Sequence, residues 1–92
     1  MIKSWKHKGL RQFYETGSKK GIQQKHADIL KLLLFQLANA TKHEDMNTPG
    51  NQFHALKGSL KDYYTVSVSG NWRLIFEFEG QDAAHVNLVD YH

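Results

Sequence analysis

Ninety-two residues suffice for one domain with a single small core, and the expected unit is one domain over 1–92. With no cysteine, neither a disulfide framework nor a thiolate-bound metal can form. No apolar run approaches the roughly 18 residues needed to cross a bilayer. The net charge of +3 is unevenly placed: residues 1–42 carry nine Lys/Arg against two acids, a net of +7, whereas residues 43–92 carry three against seven, a net of −4. A basic half of this kind suits an anionic partner, nucleic acid or acidic protein, and equally an ordinary solvated surface.

The chain opens with Met1-Ile2-Lys3-Ser4-Trp5-Lys6, charged but with no apolar stretch behind it. It is therefore not read as a secretory signal, and the expected location is the cytoplasm, with no membrane contact. Alternation of Ile2 and Ser4 with Lys3 and Trp5 predicts a short strand. Gly9 and Gly17 bracket a two-turn helix whose Leu10, Phe13 and Tyr14 share a side, and Ser18-Lys19-Lys20-Gly21 predicts a turn. From Ile22 to Thr41, a step of about 100° per residue gathers Ile22, His26, Ile29, Leu30, Leu33, Leu37 and Ala40 on one face of a long helix. That stripe is expected to lie on a sheet. Leu32 and Phe35 fall outside it and are expected to pack on the first helix, with a partner-binding surface as the alternative.

His43 to Gln52 reads as a polar connection, long for so small a domain. Beyond it the period changes to two. Tyr64, Val66 and Val68 alternate with polar residues, Gly70-Asn71 makes a tight turn, and Trp72, Leu74, Phe76 and Phe78 alternate in turn; together they predict a hairpin. Gly80-Gln81-Asp82 turns again into a last strand carrying Ala84, Val86 and Leu88. The order is strand, two helices, then at least three strands: an α+β domain with helices on one face of a mostly antiparallel sheet. Trp72, Leu74, Phe76 and Phe78 should face the helices, which turns Arg73 to the other face. The same parity puts Asp90 and His92 on the side of Val86 and Leu88, with Tyr91 opposite.

Six histidines invite a metal, but none are paired at helical i, i+4 spacing and there is no HExxH arrangement. No metal and no cofactor are expected. There is no Gly-rich phosphate loop, and no GxSxG elbow for a serine nucleophile. Cleavage of RNA by its own 2′-hydroxyl asks for less: a group to accept the hydroxyl proton, one to protonate the departing 5′-oxygen, and cations against the charge of the phosphorane. Imidazole suits the proton transfers, and guanidinium grips phosphate through two parallel hydrogen bonds. The candidates are His54, Lys57, Arg73, Asp90, Tyr91 and His92; their spacing alone does not bring them together.

His54-Ala55-Leu56-Lys57-Gly58, Tyr64, Asn71-Trp72-Arg73-Leu74-Ile75-Phe76 and Val89-Asp90-Tyr91-His92, with the opening Ile2-Lys3-Ser4 and Lys6-His7-Lys8-Gly9-Leu10, resemble the HigB toxins. These are the plasmid-maintenance "killer protein" branch of the RelE-like superfamily, and the match runs in order over essentially the whole chain. The resemblance implies a compact microbial RNase fold and a ribosome-dependent mRNA endonuclease that cuts in the ribosomal A site without a metal. By matching position, it implies His54 and His92 as the acid/base pair in unassigned order, and Asp90 as the residue that orients a histidine. Arg73 and Lys57 would hold the scissile phosphate and Tyr91 would position RNA, with Lys6 and Lys8 as further RNA contacts. The implied partner is a HigA-type antitoxin with a helix-turn-helix, which alone would bring the pair to operator DNA. With only three Lys/Arg after residue 42, the chain departs from the denser cation set of many RelE relatives. That puts more weight on the histidines and on the ribosome. The alternatives are a gyrase-poisoning toxin of the ParE branch and a non-catalytic protein-interaction domain.

Overall fold

The structure is a computed structural model that describes residues 1–90. Helix α1 spans Lys8–Thr16 and α2 spans Ala27–Asn39. Four strands follow, β1 His54–Ala55, β2 Tyr64–Ser69, β3 Trp72–Glu79 and β4 Asp82–Asp90, antiparallel throughout and in sequence order across the sheet. The α+β class read from the sequence holds.

Local sequence accounts for the helix ends. His7 caps α1 by accepting the Leu10 N–H at Nδ1 (2.9 Å), a role more often taken by Ser, Thr or Asp. Gly17 ends α1 at φ 80°, its N–H donating to the Phe13 carbonyl, the left-handed cap that glycine adopts without a Cβ penalty. The turn after it packs backbone on backbone, since a Cβ at Gly9 would lie 2.5 Å from the Gly21 Cα. The second helix is shorter than its periodicity predicts: Gln24–His26 forms a 3-10 turn, and α2 proper starts at Ala27. Asp28 in its first turn suits the positive helix end, and the Asn39 amide donates back to the Phe35 carbonyl at the other end.

The predicted stripe is right in direction: His26, Leu30, Leu33, Leu37 and Ala40 are buried, and Ile22 and Ile29 half-buried. They meet Val66, Val68, Leu74, Phe76, Ala83, Val86 and Leu88 from the sheet in one core, with Leu10 and Phe13 from α1. Trp72 and Phe78 pack against this cluster, as the alternation requires. Leu32 and Phe35 do not pack on α1: they are 62% and 68% exposed, because α2 already turns its Leu30–Leu33–Leu37 face to the sheet and these two project from the other side.

The connection from His43 is not merely polar. His43–Met46 is a 3-10 turn whose Met46 is fully buried in the core, and His43 stacks on Tyr64 (4.0 Å between centroids), which in turn stacks on Phe53. Asn51 ties the loop down through its amide to the Met46 carbonyl and the Gln36 side chain. Met46→Ala is expected to cost about 2–5 kcal/mol by transfer and cavity terms, read as a lowered midpoint in urea at unchanged slope. A loss under about 1 kcal/mol, below the usual range for such a truncation, would mean the loop collapses into the gap.

The N-terminal segment pairs with β4, parallel and in two pieces, Ile2 with Ala83 and Trp5 with Val86. The expected first strand is present as these bridges, not as a continuous ladder, and the reason lies in β4. Ile75 pairs with Asn87 and Glu77 with Ala84, so His85 and Val86 stand opposite Phe76 alone, a bulge. His85 adopts φ 52° there, a conformation costing about 1–2 kcal/mol for a residue with a Cβ. The Ser4 hydroxyl accepts the His85 N–H at 2.8 Å, holding the two pieces in step. Pairing of this segment also covers the β4 edge.

Candidate active site

Across the sheet, residues in register share a face. His54, Thr65, Ile75 and Asn87 form one row, and Ser67, Arg73 and Val89 the next. Both rows lie on the face turned from the helices. His54 and Arg73, brought together here from separate segments, are two strands over and two residues along. In a flat sheet that is about 12 Å between Cα atoms, a span that an imidazole and an extended guanidinium can bridge around one phosphate.

Arg73 is half-buried. Its Nη1 donates to the Gly70 carbonyl (2.9 Å), the Ser67 hydroxyl (3.3 Å) and the Trp72 carbonyl (3.4 Å). All its hydrogen bonds to described residues come from that one nitrogen, and it makes no ion pair among them. A guanidinium fixed by one nitrogen, with Nε and Nη2 making no hydrogen bond to the described residues, suits a bidentate anion. Ser67, its cross-strand neighbour, escaped the sequence reading; the register that pairs it with Arg73 was its only signal.

His54 starts the edge strand and is exposed, and Lys57, three residues on, is exposed at the same edge. Asp90 ends β4 opposite Trp72, which puts it on the helix-side parity, at the rim next to the Arg73 row and not within it. Tyr91 and His92 lie outside the described residues. Lys8 is exposed in the first turn of α1. His7, Ile22, His26, Trp72 and Leu88 border a recess of about 260 Å³, so α1 begins at the Asp90 end of the sheet. Lys6 is committed otherwise, its ammonium 5.4 Å from the centroid of the Tyr63 ring, a cation–π contact.

The other end of the open face is acidic, with its carboxylates partnered. The His85 imidazole lies 2.6 Å from Glu77 and 3.7 Å from Glu79, and Lys3 bonds Glu79 at 2.8 Å. The Lys3 hydrogen bond holds the Glu79 carboxyl below the usual range. Glu77, Glu79 and His85 have the donor set of a cation site, yet the Lys3 ammonium already supplies the positive charge. Burial, then the hydrogen bond to Glu77, pushes the Tyr63 phenol up to about 12, which keeps it neutral and unsuited to accept a proton at pH 7.

His26 is 1% exposed, edge-on to Trp72 at 5.5 Å, and neither ring nitrogen has a hydrogen-bond partner among the described residues. Burial, then the nearby Lys25 charge, lowers its pKa; burial also lowers that of His7. A histidine lowered on folding binds more protons in the unfolded chain, so its stabilisation is complete above the unfolded value of about 6.5 and is lost as pH falls through it. The unfolding temperature is expected to drop between pH 7.5 and 5.5, and less steeply in His26→Phe; identical slopes in the two proteins would remove His26 from the account.

A small sheet face turned from the two helices carries a held arginine, an exposed histidine at its edge and buried Thr65 and Ile75 between them, an arrangement that suits an anionic partner. The family model of the RelE-like toxin HigB, from type II toxin–antitoxin systems, matches residues 3–92. A Proteus vulgaris protein named Endoribonuclease HigB is 37% identical over the whole of both chains. Toxin HigB-1 of Vibrio cholerae is 30% identical over 85% of this chain and 84% of its own. The solution structure of a conserved hypothetical protein from Helicobacter pylori aligns with 96% of this chain and 94% of its own at 18% identity, with a TM-score of 0.49. The chain belongs to the HigB-like toxin family.

Proposed function

We propose that this protein is an endoribonuclease toxin that cuts mRNA on the ribosome, in the A site, and so arrests translation. The observation that carries it is Arg73, held from one nitrogen by Ser67 and Gly70 with no bond from its remaining donors to any described residue, on the same face as His54. The endoribonuclease named in the Proteus relative supports the same chemistry.

In the reaction the ribose 2′-oxygen attacks phosphorus, the P–O5′ bond breaks, and a 2′,3′-cyclic phosphate and a 5′-hydroxyl result. His54 and His92 divide the two proton transfers, Asp90 favours the charged form of a histidine, and Arg73 and Lys57 meet the charge that grows on the phosphorane. Tyr91 positions the RNA, with Lys8 at the Asp90 end of the sheet; Lys6, engaged by Tyr63, contributes only if that contact opens. The ribosome supplies the positioning that so few cations leave undone. The partner is a HigA-type antitoxin, which carries the pair to operator DNA, and the setting is the cytoplasm. No helix among the described residues is long and apolar enough to cross a membrane.

The test is to incubate the purified chain with ribosomes programmed with a defined mRNA and map the 5′ ends. Codon-phased cuts that persist in EDTA, at a level that leaves the ribosomes intact, are expected. Intact mRNA alongside trapped gyrase–DNA complexes would replace this reading with gyrase poisoning. Cleavage that chelation abolishes and zinc restores would overturn the metal-free mechanism.

A further inference from the structure

On the side of the helical layer away from the sheet, Tyr14, Leu32 and Phe35 are 44%, 62% and 68% exposed. They border a groove of about 950 Å³ between α1 and α2 that Lys19, Lys31 and Ala38 also line. From this face we infer the docking surface for an acidic, amphipathic segment of the antitoxin, a step that rests on the toxin–antitoxin reading above.

Leu32 and Phe35 stand at i, i+3 on α2 and so lie together on its surface. The same helix has already buried Leu30, Leu33, Leu34 and Leu37. A helix apolar on both sides is built to be covered on both sides, and the groove beside it has the shape into which a partner helix lays its apolar anchors.

Charge selects the occupant. Lys19 and Lys31 flank the groove, in the half of the chain with a net charge of +7. Its single lining acid, Asp28, sits in the first turn of α2, where the helix end already offsets it. A second copy of this chain would bring the same lysines face to face. A nucleic acid would find the lysines but no use for Leu32 and Phe35. An acidic segment carrying two or three apolar side chains matches both features at once. The groove and the Arg73 face lie on opposite sides of the molecule, so substitutions in one can be read without disturbing the other.

The experiment measures binding of the chain to the purified antitoxin from its own operon, by titration calorimetry at low and high salt. Leu32→Ser with Phe35→Ser should weaken binding by about 100-fold, the scale of losing central apolar anchors. Lys19→Glu with Lys31→Glu should weaken it about tenfold at low salt and flatten the salt dependence. Circular dichroism and mRNA cleavage by the free variants should stay at parental levels. Parental affinity in the Leu32/Phe35 variant overturns the docking surface and leaves the antitoxin reading standing, whereas no binding by the parent chain overturns both. A dimer of the chain alone, seen by light scattering and split by Phe35→Ser, would assign the groove to a second copy and overturn the proposal.

Discussion

Arg73→Ala is expected to slow single-turnover mRNA cleavage on programmed ribosomes by about 10²–10³-fold, the range for removing one preorganised donor to developing charge. The side chain is half-buried, and its acceptors are the Ser67 hydroxyl and the backbone carbonyls of Trp72 and exposed Gly70. Water can replace the guanidinium there, so the unfolding temperature should change little. Arg73→Lys separates charge from geometry. Lysine restores a positive charge but offers a single ammonium where arginine offers a planar fork, so it should recover only part of the loss. The deficit should lie in the chemical step and not in ribosome affinity, because the charge Arg73 meets is largest in the phosphorane. Cleavage by Arg73→Ala within about twofold of the parent, against the 10²–10³ expected from such a donor, would return Arg73 to the rank of a hairpin-turn clamp.

How much of this was legible in the sequence depends on the kind of signal. Period-two alternation from Tyr64 to Phe78 sets both faces of the hairpin correctly, and so turns Arg73 to the open side by parity alone. In β4 the bulge at His85 and Val86 shifts the phase, so Ala83, and not the expected Ala84, joins Val86 and Leu88 on the helix side. Residues that pair in register share a face whatever the long-range packing does. The α2 stripe is legible for the same reason. Its lower boundary is not: Gln24–His26 forms a 3-10 turn, and nothing in the 100° pattern distinguishes a tighter turn from the first turn of a helix. Met46 is hidden because a lone apolar residue in a polar loop has no period; tertiary contacts, among them Asn51, Gln36 and the His43–Tyr64 stack, fix it in the core. Leu32 and Phe35 show the limit of an intramolecular default, since two off-stripe apolar residues look alike whether a neighbouring helix or another molecule covers them. The candidate site is only partly legible. Ser67 and the Lys6–Tyr63 contact depend on which strands meet, whereas Asp90 comes out opposite Trp72 on the Val86 and Leu88 side, as parity gives it.

His54→Ala should lower the cleavage rate by about 10²–10⁴-fold, the usual contribution of a positioned proton-transfer group. His54 is exposed on a two-residue edge strand, so the substitution removes an imidazole without opening a cavity, and loss of activity with an unchanged unfolding temperature is the expected signature. The sharper result concerns direction. A substrate whose 5′-bridging oxygen is replaced by sulfur has a leaving group that departs without a proton. A variant that has lost the general acid recovers on this substrate, whereas one that has lost the base does not. Run with His54→Ala and His92→Ala in parallel, recovery of only one variant identifies the acid and leaves the other as the base. Equal recovery of both, or of neither, would mean that the two histidines do not divide the proton transfers. The sheet would then have to supply another group, and His85 and Glu77, paired with each other at the far end of the open face, have the chemistry to do so.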